Sequence, residues 1–500
     1  MTIVNDEIKG MEAWLETLQP KVYGNFIGGE WVDSNTSKTF SIYNSAKKDQ
    51  LLASFQDSND YDVDQAVKAA NEAFKNWSKV PGPDRGALLY KFADLLEKNI
   101  EELAFMLSAE QGKVFNESIG EVYRAAKETR FAAGEAFRID GNTLPGERPN
   151  VWNSTVRQPI GVIAAIAPWN FPVVTPVRKI APALAFGCTV VFKPASATPW
   201  TSARLMELFA EAGFPKGVVN LVVGGGSKVG TPLVNHPLVK GISFTGSTNL
   251  GIQINESAGK RLVKTQLELG GKNPAVVLDY ENVEEVAKQI VSAAFAVSGQ
   301  RCTAISRVIV HKNLKEDLTD AILHEMKQLQ VGPAWEKGVT MGPLMDKNQL
   351  EAVQKYVQIG KEEGATLLYG GEQLQGGKYD DGYYLAPTLF ENVTTEMRIA
   401  KEEIFGPVLS IITVNDETEA FEVANSVAYG LAASIFTNNL SSAYEFADKV
   451  ESGMVHINHG TASAAHLPFG GVKQSGFGAY SIGHSNIEFF TNIKAVYFQY

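Results

Sequence analysis

Cysteine is nearly absent. The 500-residue chain has two, Cys188 and Cys302, so no disulfide framework holds it together, and a reducing, cytoplasmic setting is expected. Long apolar runs are missing too. The most continuous, such as 161–167, are far shorter than a membrane span. Residues 2–9 are polar and acidic, with no basic segment leading into an apolar one, so no secretory signal is expected. Positive charge is not in excess either. A net charge of −11 argues against nucleic acid or an anionic membrane surface as a partner. There is no low-complexity segment and no internal repeat. The G-x-G-x-x-G fingerprint is lacking, because Gly224-Gly225-Gly226 follows a strand pattern without that spacing. His456, His459 and His466 are near one another, but their spacing fits no common metal site and no cysteine or carboxylate cluster joins them. No metal is expected.

What is present is an ordinary globular composition in a chain too long for one core, so two or three domains are expected. After a short strand-rich opening (22–32), the first third reads as helical. Val67, Ala70, Phe74 and Trp77 recur at helical spacing over 64–77, and a second helix begins near Pro83. From Gly161 short apolar runs alternate with amphipathic stretches: 161–167, 189–193, 218–223, 242–244 and 266–269. A second alternation follows Asn273, with runs at 275–278, 307–310, 408–414, 433–436 and 454–458. Strand–helix alternation implies parallel, doubly wound sheets. Trp152–Gln158 and Phe489–Phe498 are β-prone and belong to neither pattern. Pairing between subunits and a hairpin within one chain are both open for them.

Several residues are of types that carry chemistry. Cys302 follows a stripe of Val286, Ile290, Ala293 and Val297, with Gly299 suited to a helix cap, and stands beside Arg301, whose charge favours a thiolate. Cys188 starts an apolar strand with no charged neighbour and reads as packing. Glu268 lies between two leucines before Gly270-Gly271, where desolvation would raise its pKa toward that of a useful base. Asn170, in Pro168-Trp169-Asn170-Phe171-Pro172, could donate to an oxyanion, although such a turn also needs an Asn for its own shape. Thr245-Gly246-Ser247 joins a strand to a helix and offers a helix N-terminus to a phosphate.

Together these motifs resemble the aldehyde dehydrogenase superfamily, over essentially the whole chain. The resemblance is carried by Pro168-Trp169-Asn170-Phe171-Pro172, Lys193-Pro194-Ala195-Ser196, Phe244-Thr245-Gly246-Ser247, Leu267-Glu268-Leu269-Gly270-Gly271, Gly299-Gln300-Arg301-Cys302 and Glu402-Glu403-Ile404-Phe405-Gly406-Pro407, in that order. It implies an α/β fold of two doubly wound domains, a cofactor-binding domain (1–140 and 160–270) and a catalytic domain (271–480). A small β oligomerisation flap (141–159 and 481–500) completes it, in a homodimer or homotetramer. It also implies Cys302 as nucleophile, Asn170 and the Cys302 N–H as the oxyanion site, and Glu268 as the base that activates water. NAD or NADP would be held by Lys193 and Ser196 at the adenosine ribose and by Gly246 and Ser247 at the pyrophosphate. Glu403 would hold the nicotinamide ribose, with Phe405, Leu269, Trp169 and Thr245 along the cleft. Ser196 stands where NAD users often carry Glu, so NADP is expected to be accepted.

The implied substrate is an aldehyde, and an anionic semialdehyde is expected. Arg178 occupies a position that faces the substrate tunnel in this family, about two turns along a helix over 171–187, and a guanidinium suits a bidentate hold on a carboxylate or sulfonate. Thr175, Arg301, Thr461, Ser463 and His466 would line the same tunnel. The stretch 299–304 looks most like 2-oxoglutarate semialdehyde dehydrogenases, with succinate semialdehyde and sulfonated or neutral aldehydes as rivals. A structural ion pair is the competing reading of Arg178. Two other classes stand beside this one: a CoA-acylating relative, which would not need Glu268, and a non-catalytic structural protein on the same fold.

Overall fold

The computed structural model describes residues 2–500. Its centre is two sheets of mainly parallel strands. The first contains β1 (Val162–Ile166), β2 (Thr189–Lys193), β3 (Val219–Leu221), β4 (Val239–Thr245) and β5 (Lys264–Glu268), hydrogen-bonded in the order β3-β2-β1-β4-β5. All four pairings are parallel. Asn25–Ile27 and Gly476–Phe477 add antiparallel strands at the two sides. The direction of winding reverses at β1, which makes the carboxyl ends of β1 and β4 the crevice where such sheets bind ligands.

The β-branched runs form these strands because both faces are covered. Along β1, Ile163 and Ala165 pack with Val190, Phe192 and the helical residues Phe92, Ile180 and Phe209. The alternate residues Val162, Ala164 and Ile166 pack on the other side with Val63, Val67 and Ala70. This is the period of two that a pleated strand imposes.

The second sheet contains β6 (Asn273–Val277), β7 (Ile305–His311), β8 (Thr388–Glu391), β9 (Val408–Val414), β10 (Ala432–Phe436) and β11 (Met454–Ile457), in the order β8-β9-β7-β6-β10-β11, with Thr366–Tyr369 antiparallel at one edge. The chain crosses from the first sheet to the second through Leu269–Lys272 and returns to the first at Gly476–Phe477. Helices α1 (Phe115–Glu135), α2 (Val174–Ala185), α3 (Thr248–Gly259) and α4 (Val283–Phe295) position the site.

Three expectations change. Helix α2 starts at Val174 and ends at Ala185, because Phe171 and Pro172 are spent in the turn that precedes it. Helix α4 ends at Phe295, and Val297 and Ser298 then take left-handed φ values of 55°, so Val297 is not on the helical stripe. The two stray strands pair with each other in one chain, Val151–Pro159 against Thr491–Gln499 through nine residue pairs, with Thr143–Pro145 as a third strand. Thr39–Asn44 and Lys47–Gln56 form a further antiparallel pair that the polar sequence there hides. Among the described residues no helix is long and apolar enough to cross a membrane.

Candidate active site

Asn170 is held from both sides. Beyond β1 the chain turns through Trp169–Pro172 and enters α2, whose first N–H groups need acceptors. Glu121 of α1 supplies one: its Oε1 accepts from Val173 N at 2.8 Å and Val174 N at 3.0 Å. The buried Lys113 ammonium pairs with Glu121 and donates to the Asn170 carbonyl at 2.7 Å. The Asn170 amide Nδ2 donates to the Gln300 carbonyl at 2.8 Å, which ties the turn to the cysteine loop and leaves one amide proton free.

Cys302 sits in a loop of special backbone shape. Gly299 has φ of 71°, and a Cβ there would fall 2.2 Å from the Gly406 carbonyl oxygen, so only glycine fits. Glu117 accepts from Val297 N at 2.9 Å, and Ser298 Oγ donates to the Gly342 carbonyl at 2.7 Å. Asn273 Nδ2 donates to both the Cys302 and the Ala304 carbonyls at 2.8 Å. The thiol is partly exposed. Its pKa is pushed up to about 11, chiefly by burial and then by Glu403 and Glu268, while Arg178 and Arg301 lower it by less. The pull of the neighbouring cation toward a thiolate is thus opposed by burial, which acts more strongly here. Cys188 is wholly buried, is likewise pushed up to about 11 by burial, and donates to the Phe490 carbonyl.

Cys302 and Asn170 open into one cavity of about 350 Å³, whose walls include Thr175, Arg178, Arg301, Thr303, Thr461, Ser463 and Phe469. Thr461 donates to the Thr303 carbonyl at 2.7 Å. Ser463 Oγ is buried without a partner among the described residues. His466 is exposed and is not part of this wall, because the loop turns outward before Pro468. Among the described residues no group of His, Cys, Asp and Glu is arranged to hold a metal ion.

Arg178 lines the cavity, but its fork is taken. Nε and Nη2 donate to Glu128 Oε2 and Oε1 at 3.0 and 2.7 Å, and its guanidinium lies 4.3 Å above the Phe469 ring. The free bidentate anion holder expected at this position is thus a structural ion pair. Arg124, one turn before Glu128 on α1, donates only its Nε, to Glu128 Oε1 at 3.0 Å. Its Nη2 is buried without a partner among the described residues, and it lines the same cavity. Arg124, Lys113 and Glu128 were not singled out from the sequence. The one available signal was the spacing of Glu117, Glu121, Glu128 and Glu135, which puts four carboxylates along one helical stripe.

Glu268 ends β5 and is 3% exposed. Burial raises its pKa, against the opposing pull of Lys179, Arg178 and Ser481. Lys179 is also buried, which lowers its pKa; it donates to Thr245 Oγ1 at 2.7 Å and to Ser243 Oγ at 3.3 Å.

The other candidate residues follow the carboxyl ends of β1, β2, β4 and β5, with Glu403 and Phe405 reaching them from the second domain through Gly271 and Trp169. Helix α3 starts after Ser247 with no side chain capping its first turn, so those N–H groups are free for an anion. A Cβ on Gly246 would strike the Phe244 ring at 2.5 Å, and one on Gly251 would strike Leu269 at 2.4 Å. Ser196 donates to the Gly224 carbonyl at 2.9 Å, and Lys193 to the Pro194 carbonyl at 2.9 Å. Burial pulls the Lys193 ammonium down to about 8. Glu403 Oε1 accepts from Gly271 N at 3.1 Å, and burial pushes its carboxyl up to about 7. A Cβ on Gly270 would lie 2.4 Å from Glu403 Oε2. Phe405, at a left-handed φ of 58°, meets Trp169 edge to face at 5.4 Å. An unsaturated helix start, a lysine and a buried carboxylate suit the phosphates and ribose hydroxyls of a dinucleotide.

Residues 31–496 match the model of the aldehyde dehydrogenase family, and the chain belongs to that family. It is 44% identical over 480 residues to an alpha-ketoglutaric semialdehyde dehydrogenase of Bacillus subtilis, covering 96% of this chain and 98% of that one. It is 40% identical over 477 residues to a malonate-semialdehyde dehydrogenase 2 of Bacillus cereus, covering 95% and 97%. A betaine aldehyde dehydrogenase of Staphylococcus aureus, solved in complex with NAD⁺, superposes with a TM-score of 0.95 at 32% identity, covering 99% of this chain and 97% of that one.

Proposed function

We propose that the protein oxidises an anionic semialdehyde to the carboxylic acid through a thioester on Cys302. The observation that carries this reading is the single cavity into which Cys302, Asn170 and three guanidiniums, of Arg124, Arg178 and Arg301, all open. Glu128 neutralises part of that charge. The unpartnered Arg124 Nη2 is the donor left over for a substrate carboxylate. Relatives whose names specify 2-oxoglutarate and malonate semialdehydes support an anion.

The Cys302 sulfur adds to the aldehyde carbon as its S–H proton passes to solvent. The free Asn170 amide proton and the Cys302 N–H hold the oxyanion that forms. An aldehyde must become tetrahedral before it can release hydride, which is why covalent capture comes first. Lys193, Ser196, Ser247 and Glu403 would hold NAD or NADP, which would supply the hydride acceptor. The adduct then collapses to a thioester as its C–H pair leaves. Glu268 takes a proton from water, whose oxygen attacks the thioester carbon. The carboxylic acid leaves and the thiol is restored. With no carboxylate at position 196, NADP is accepted as well as NAD. The apolar Trp152, Val156 and Phe498, exposed on one face of the three-stranded flap, are where we expect a second copy to sit.

The test is turnover with 2-oxoglutarate semialdehyde, malonate semialdehyde and a neutral aldehyde of equal length, with and without CoA. Oxidation of the anionic substrates without CoA is expected, and Glu268→Gln should leave a burst of reduced cofactor followed by a very slow steady state. A preference for the neutral aldehyde would overturn the anionic reading. Dependence on CoA, or full turnover by Glu268→Gln, would overturn the hydrolytic one.

A further inference from the structure

The Glu268 carboxylate has two kinds of oxygen. Oε2 is buried without a partner among the described residues. Among the described residues Oε1 receives donors from one residue only: Ser481, through its hydroxyl at 3.2 Å and, more weakly, its N–H at 3.4 Å. Ser481 is wholly buried. It is bridged to Phe469 by two backbone hydrogen bonds, each of 2.8 Å. The next residue, Ile482, is β-branched yet has a φ of 50°, a conformation that persists only where its surroundings dictate it. The position of the Ser481 hydroxyl is therefore imposed by the fold.

That hydroxyl has one proton and two acceptors in reach, Glu268 Oε1 at 3.2 Å and the Phe469 carbonyl at 3.1 Å. We propose that Ser481 is a charge-gated tether for Glu268. It holds the carboxylate by Oε1 while the residue is ionised and lets go, turning to the Phe469 carbonyl, once Oε2 has taken a proton. The inference rests on Glu268 being the base that activates water.

The gating follows from acceptor strength. A hydrogen bond to an ionised carboxylate is roughly twice as strong as one between neutral groups. Against the charged carboxylate, the neutral Phe469 carbonyl loses the competition for the proton. Against a protonated Glu268, whose Oε1 is now an ordinary carbonyl, it competes on equal terms and already lies as close. Anchoring Oε1 leaves Oε2, the oxygen without a partner, as the one to take a proton. The other charged or titratable groups around Glu268 are Lys179 and Arg178 from α2, Cys302 from its loop, and Tyr480 beside Ser481. Lys179 spends its hydrogen bonds on Ser243 and Thr245, so none of these reproduces the tether.

The test compares Ser481→Ala and Ser481→Thr with the wild type. Removing a donor to the ionised form raises the carboxyl pKa. In Ser481→Ala the acid limb of thioester hydrolysis should therefore move up by about one pH unit, with the burst of reduced cofactor unchanged. Ser481→Thr, which keeps a hydroxyl, should return the limb to the wild-type position. Infrared difference titration of the Glu268 carboxyl, referenced to Glu268→Gln, should show the same displacement without turnover. An unmoved infrared pKa in Ser481→Ala would overturn the tether, as would loss of the burst in both variants, which would make Ser481 a folding residue. A displaced infrared pKa with an unmoved hydrolysis limb would keep the tether and overturn Glu268 as the base.

Discussion

Glu128 on α1 takes both oxygens of its carboxylate to Arg178 on α2, at 2.7 and 3.0 Å, fifty residues away in the chain. Removing one partner of such a buried pair strands the other charge. Arg178→Met should cost about 3 kcal/mol of stability, read as a lower denaturation midpoint, and should impair anionic and neutral aldehydes alike. Arg124→Met should leave the midpoint nearly unchanged and raise KM for an anionic semialdehyde by an order of magnitude or more, since a charge-assisted contact is worth about 1.5–3 kcal/mol. Kinetics on both aldehyde types decide it, and a selective effect at Arg178 would reverse the two roles.

The Cys302 thiol, pushed up to about 11, should be slow to alkylate in the cofactor-free protein at pH 7. Below its pKa the reactive thiolate grows tenfold per pH unit, so the iodoacetamide rate should climb steeply from pH 7 to 10. Added cofactor should raise the rate at pH 7. A flat profile would mean that the thiolate already exists. Cys302→Ala should keep cofactor binding and lose dehydrogenation, and Cys188→Ala should cost on the order of 1 kcal/mol of packing alone.

Lys113 holds the turn that carries Asn170, the proposed oxyanion donor, through the Asn170 carbonyl and Glu121. Lys113→Met should lower stability by about 3–5 kcal/mol, the usual cost of an uncompensated buried charge. It should also slow the burst phase while leaving dinucleotide affinity alone. Pre-steady-state absorbance and cofactor titration separate these effects, and an unchanged burst would confine Lys113 to stability.

Ser196→Glu should abolish use of NADP and leave NAD oxidation within a few-fold, because a carboxylate repels the 2′-phosphate. Kinetics with both dinucleotides check this. Retained NADP turnover would place the phosphate elsewhere.

The parallel strands were legible because β-branched runs such as 162–166 and 189–193 are buried on both faces and have to be apolar throughout. The Thr39–Gln56 hairpin was not, since polar residues occupy most of its exposed face. The family was legible in motifs of fixed order, but the surroundings of the candidate site residues were not. Arg301 beside Cys302 suggested a thiolate, and only the burial of the loop shows that desolvation prevails. Arg178 stands where a tunnel residue would, yet nothing in local spacing tells that Glu128 faces it. Ser481 is an ordinary serine in the sequence, and it acquires meaning only through its backbone bridge to Phe469.

Gly299 and Gly406 touch backbone to backbone, with no room for a methyl group between them. The loop that carries Cys302 and the loop that presents Glu403 and Phe405 are thus one mechanical part with no compliant side chain at the joint. Whatever shifts the second by a few tenths of an ångström moves the first by as much. The spacing between the Cys302 sulfur and the Glu403 carboxylate is therefore set by main chain, and Gly299→Ala should spoil the alignment of the two loops without altering a single chemical group in either.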